Sequence, residues 1–135
     1  MSLSDYVKLL RAYNAGVTPN EIEEAVGVPA ATVTYIERKY RRVGEDDEVL
    51  AKLADYFHVP LAELQRRRNS FRKRLTAFLT ERAARKTPVR FALHGGAELR
   101  GTVTWSDREA IGLDLSDGSG EVIVYRHAVE QWEDA

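Results

Sequence analysis

The chain has 135 residues, no cysteine, 30% charged residues and a formal net charge of -1. That length fits one ordinary domain or two very small ones, and the lack of cysteine excludes a disulfide scaffold and a thiolate zinc site, so a reducing cytoplasm is the expected setting. No apolar run approaches the ~20 residues of a membrane span, and Met1-Ser2-Leu3-Ser4 lacks the basic-then-apolar order of a signal peptide, so no membrane partner is expected.

The first predicted element is a helix in "SDYVKLLRAYNAG", where Tyr6, Val7, Leu9, Leu10 and Tyr13 recur at helical spacing, Ser4 can cap and Gly16 can stop it. "TPNEIEEAVG" offers Thr18 as N-cap, Pro19 at the first helical position, Glu21 in capping-box position and Gly27 as stop. "VPAATVTYIERKYRRV" predicts a third helix with Val33, Ile36 and Tyr40 inward. After Gly44, "EDDE" favours the positive N-terminal end of a fourth helix, which carries Val49, Leu50, Leu53, Ala54 and Phe57.

The small net charge hides a division along the chain. Residues 1–64 carry seven Lys/Arg and eleven Asp/Glu, residues 65–88 carry nine and one, and residues 89–135 carry four and nine. The positive field is therefore concentrated in "QRRRNSFRKRLTAFLTERAARK", which needs an anionic partner or the acidic blocks themselves to balance it. Leu61, Leu64, Phe71, Leu75, Phe78 and Leu79 run through it as an apolar stripe, so it reads as helix, with Asn69-Ser70 the expected break.

Beyond Lys86-Thr87-Pro88 the periodicity changes to that of strands. Predicted strands are Val89–His94, Ala97–Trp105, Ala110–Leu115, Glu121–Tyr125 and Val129–Trp132, with Leu99, Val103 and Trp105 alternating against Arg100, Thr102 and Thr104 in the second. Gly101 suits a strongly bent strand, and the set is expected to close into a small barrel with a thin core and edges that need cover. The expected fold class is thus α+β: an all-α bundle over 1–65, a basic connecting helix over 66–87 and a five-stranded barrel over 88–135.

Two resemblances refine this reading. "AVGVPAATVTYIER" followed by "LAKLADYFHVPLAEL" resembles the Cro/cI-type (XRE) helix-turn-helix domain, over about Leu3 to Leu64. It implies that the third helix enters a major groove, with Ala30, Ala31, Thr34 and Tyr35 facing bases and Arg38, Lys39, Arg41 and Arg42 facing phosphates. Alanine can touch only a thymine methyl, and Glu21, Glu23 and Glu24 are expected to meet the DNA backbone with the wrong sign. DNA binding of low sequence specificity and a helix-turn-helix kept for packing or protein docking both remain open.

"TPVRFALHGGAELRGTVTWSDREAIGLDL", with "VIVYRHAV" after it, resembles the bacterial Sm-like family of Hfq, over about Leu75 to Trp132. The resemblance implies a homo-oligomer, commonly a hexameric ring, in which the fourth strand of one subunit pairs with the fifth strand of the next. It also implies U-rich RNA at the proximal pore through Tyr125, Arg126, His127 and Arg108, with Glu109 as a like charge among them, and rim contacts through Arg82, Arg85 and Lys86. The opposite-face positions fall on Ala92, Glu98 and Arg100, which do not suit adenine.

His58 and His94 lack neighbours at metal-ligand spacing, and neither a phosphate loop nor a nucleophile with its base is present. No catalytic residue, metal or cofactor is expected. The expectation is a nucleic-acid-binding transcriptional or post-transcriptional regulator. The alternative is a non-catalytic oligomeric adaptor in which the ring assembles and the helix-turn-helix docks a protein.

Overall fold

The computed structural model describes residues 1–38, 44–68 and 72–135. It divides into two compact units, Ser2–Phe71 and Arg72–Ala135.

In the first unit, α1 spans Leu3–Tyr13, α2 Pro19–Val26, α3 Thr32–Glu37, α4 Asp47–Phe57 and α5 Leu61–Arg67. Ser2, not Ser4, caps α1, taking the Asp5 N–H, while Ser4 turns inward and donates to the Glu37 carbonyl at 2.5 Å. Thr18 and Glu21 form the expected capping box on α2, and Gly27 ends that helix in the left-handed conformation. Asp46 caps α4 by accepting from the Glu48 and Val49 N–H groups. Val7, Ile22, Val33, Leu50, Leu53 and Leu64 are fully buried and make the core of the bundle. The inward Tyr40, the phosphate-facing Lys39, Arg41 and Arg42, the Asn69-Ser70 break and the stripe residue Phe71 all lie outside the described residues.

The second unit begins with α6, Arg72–Arg85, followed by β1 Pro88–Leu93, β2 Glu98–Ser106, β3 Ala110–Leu115, β4 Glu121–Tyr125 and β5 Val129–Asp134. The strands form one antiparallel sheet in the order β4-β3-β2-β1-β5, so β4 and β5 are its two edges. Leu75 and Leu79 from α6 pack with Val89, Phe91, Val103, Ile111, Leu113, Val124 and Val129 in a single core. Gly101 is required where β2 runs close against β3, because a Cβ there would lie 2.9 Å from the Asp114 carbonyl carbon.

One strand departs from simple alternation. The β2–β3 register shifts between Val103 and Trp105, a bulge that sends Trp105 out instead of inward beside Leu99 and Val103. Trp105 is 39% exposed, whereas Val103 stays in the core.

Candidate nucleic-acid interface

The turn between β4 and β5 is a single 3-10 turn, Arg126–Ala128. Its neighbours in sequence separate onto opposite sides. Tyr125 closes β4 with 57% of its surface exposed. Its ring stacks on that of His127, with centroids 5.4 Å apart and planes at 10°.

Arg126 points the other way and is only 4% exposed. Its guanidinium donates to the Asp107 carbonyl at 3.1 Å and to Thr76 Oγ1 on α6 at 2.8 Å. Its backbone N–H donates to the Glu109 carbonyl at 2.9 Å. One residue therefore ties the 3-10 turn, the β2–β3 turn and α6 together. Arginine suits this role because its donors lie in a fixed planar fork that can bridge two acceptors at once.

The β2–β3 turn is itself rigid. Asp107 Oδ1 accepts from the Glu109 and Ala110 N–H groups, both at 2.8 Å. Those two hydrogen bonds, with the charge of Arg126 behind them, hold the Asp107 carboxyl below its ordinary range. Arg108 and Glu109 are both exposed on this turn. The structure thus brings Tyr125, His127, Arg108 and Glu109 to one end of the sheet and turns the Arg126 side chain beneath them.

The rim candidates differ from one another. Arg82 makes a two-pronged pair with Asp134, at 2.5 and 3.1 Å, reaches Glu81 and lies over the Phe78 ring. Arg85 pairs with Glu81 at 3.1 Å and remains exposed. Lys86 ends α6 with a positive φ of 54° and makes no ion pair with a described residue. Within the first unit, Glu63 pairs with Arg66 and Arg67, Asp47 pairs with Arg68, and Arg67 also lies over the Tyr6 ring at 4.2 Å. Much of the basic segment's charge is therefore met by acidic residues of the chain itself. Among the described cations of α6, Lys73 and Arg74 are exposed and form no ion pair.

On the opposite-face positions, Glu98 pairs with Arg90 and stands beside Ala92 across β1–β2. Arg90 also pairs with Glu133.

In the helical unit, α3 starts at Thr32, so Ala30 and Ala31 precede it in the turn, with Ala31 in the left-handed conformation at φ 70°. Thr34 is half-buried, Tyr35 is exposed, and Arg38 is exposed at the end of the helix. Glu23 does not face outward as the sequence suggests. It is 3% exposed, and its Oε2 accepts the Val33 N–H at 2.8 Å, so it caps α3 from α2. The alanine at the N-cap cannot do this, and the carboxylate meets a donor that the helix start would otherwise leave unsatisfied. Glu21 accepts the Thr18 N–H in the capping box but remains exposed, as does Glu24. At the far end of the helical pair, Glu37 is buried and pairs with Arg11 at 2.7 Å.

Among the described residues no group of three or more His, Cys, Asp or Glu could hold a metal ion, and no helix is long and apolar enough to cross a membrane. His94, remote in sequence from any carboxylate at ligand spacing, meets Glu130 at 3.3 Å once β1 and β5 pair.

The chain matches no protein-family model and no curated protein. Among solved structures it is similar to a crystal structure of the pleiotropic translational regulator Hfq, with 18% identity and a TM-score of 0.41 over 44% of this chain and 88% of that one.

Proposed function

We propose that this chain is a non-catalytic RNA-binding regulator whose strand-bearing unit holds unpaired, U-rich RNA at the β4–β5 turn. The observation that carries the reading is the Tyr125–His127 ring stack, with Tyr125 exposed and His127 half-buried, at the end of the sheet whose β2–β3 turn carries the exposed Arg108. Aromatic and imidazole faces accept unstacked bases, and a neighbouring cation accepts the phosphate that follows. Arg126 acts from below as the brace that fixes the stack, and Glu109 limits affinity by repelling phosphate. Arg85 and Lys86 supply weaker contacts along the rim, while Arg82 is largely committed to Asp134.

The two sheet edges favour assembly of several copies into a ring through β4 of one and β5 of the next, because a small sheet with two open edges gains from pairing them. Repetition of one weak site around such a ring turns modest contacts into avidity.

Fluorescence anisotropy with labelled oligo-U tests the reading. Binding should weaken steeply with salt and be lost when Tyr125→Ala and His127→Ala are combined. No binding at low salt, or binding indifferent to both substitutions, would overturn it in favour of an oligomeric adaptor. For the helical unit we propose at most a low-specificity DNA contact through Tyr35 and Arg38. Selection from a random duplex pool tests this, and a lack of enrichment together with salt-insensitive retention removes DNA from the account.

A further inference from the structure

The outer face of β2, β3 and β4 carries a second constellation, separate from the β4–β5 turn. Because of the bulge, Trp105 stands opposite Gly112, which in turn stands opposite Ile123, making one row across three strands. The next row is Thr102, Asp114 and Glu121. The indole is fixed: its Nε1–H donates to Glu121 Oε1 at 2.8 Å, and Thr104 Oγ1 donates to the same oxygen at 3.2 Å. A Cβ on Gly112 would lie 2.5 Å from Trp105 Cδ1, so the glycine is what lets the ring occupy this position. Trp105 nonetheless remains 39% exposed, and Ile123 is 63% exposed beside it.

Two features say what would cover this face. Asp114 and Glu121 are directly opposite each other across the antiparallel pair, an arrangement of like charges that costs stability unless a cation lies between them. Among the described residues no cation pairs with either carboxylate, and Arg100, two residues before Thr102 on β2, forms no ion pair. A held indole beside two unneutralised carboxylates matches the chemistry of a guanidinium. That group stacks on an aromatic face and donates in plane to carboxylate oxygens, which an ammonium does only as a point charge. Single-stranded RNA fits less well here, since its phosphates would approach the carboxylates.

We propose that this face docks an arginine-bearing basic segment of a partner protein. The arginine rests against Trp105, its guanidinium bridges Asp114 and Glu121, and Ile123 contacts the apolar stem. The site is independent of RNA binding at the β4–β5 turn.

The test is anisotropy of a labelled arginine-rich peptide, its all-lysine counterpart and oligo-U, each titrated with the full chain. The arginine peptide should bind more tightly than the lysine peptide, and Glu121→Gln should weaken it about tenfold. Glutamine keeps an oxygen for the indole N–H and removes only the charge, so the fold is retained. Trp105→Ala should produce a similar loss. Asp114→Asn should raise the melting temperature by relieving the opposed charges and yet lower peptide affinity, a combination that a merely structural carboxylate would not give. The proposal is overturned if the arginine peptide does not bind or binds equally to Glu121→Gln. It is also overturned if Trp105→Ala abolishes oligo-U binding while sparing the peptide, which would make this face a base-stacking platform.

Discussion

Arg126 and His127 are neighbours in sequence that do different work, and substitution separates them. Arg126→Ala removes two side-chain hydrogen bonds and the packing of a buried side chain; it should cost about 2–4 kcal/mol, read as a lowered denaturant midpoint. His127→Ala should change stability by less than about 1 kcal/mol and still weaken RNA binding, because its half-buried ring serves chiefly the stack with the exposed Tyr125. Lysine at position 126 should not rescue stability, since it lacks the planar fork that reaches two acceptors. The sequence made the pair conspicuous but could not tell inward from outward: the 3-10 turn rotates successive side chains apart, and nothing local encodes that Thr76, fifty residues away in the chain, receives the guanidinium. Glu23 shows the same limit, since a carboxylate on a short helix reads as a surface charge until α3 is placed across it. Glu23→Ala should cost about 1–2 kcal/mol through loss of the α3 cap, whereas Glu23→Gln should cost less.

Asp107 gives the turn a pH dependence of known sign. Its folded-state pKa is depressed by the Glu109 and Ala110 N–H groups and then by Arg126, so its contribution is complete above the ordinary carboxylate value near 4 and is lost as pH falls through the lowered value. Asp47, Glu63, Asp117 and Asp134 are depressed as well, each chiefly by a side-chain hydrogen bond, and push total stability the same way. Comparison of wild type with Asp107→Asn isolates the turn: the variant should melt lower at neutral pH, and the gap should close in acid.

At the level of elements, the strands were the most legible part of the chain. Predicted and observed bounds of β3 and β4 coincide, because alternation marks both and the turn residues Asp107-Arg108 and Asp117-Gly118-Ser119-Gly120 punctuate them. Trp105 was not legible, since a bulge reverses alternation for every residue after it without any signal in residue type. The helices of the first unit were legible through their caps, with Thr18, Glu21 and Gly27 doing locally what their positions predict. α6 joins the strand unit through Leu75 and Leu79, and Leu79→Ala should cost about 2–5 kcal/mol, measured by chemical denaturation of the full chain. The edge strand β4 makes a separate prediction. Ile123 is exposed on it, so Ile123→Lys should leave the folded chain intact and dissociate any assembly that uses this edge, read by sedimentation velocity.

For the whole molecule, the charge division seen in the sequence survives folding in altered form. Acidic residues on both sides of the basic segment, with Glu81 inside it, take up Arg66, Arg67, Arg68, Arg82 and Arg85, leaving Lys73, Arg74 and Lys86 as the cations of α6 and its end, among the described residues, that form no ion pair. On the proposed reading, affinity for RNA comes from repetition of a small site more than from one strongly basic surface. Native mass spectrometry of the full chain, with and without oligo-U, measures subunit number and RNA occupancy together. The account predicts a closed multimer that takes up RNA and loses it, with the multimer intact, when Tyr125 and His127 are both replaced by alanine. A monomer that takes up no RNA, or a multimer whose RNA occupancy is unaffected by those replacements, would contradict it.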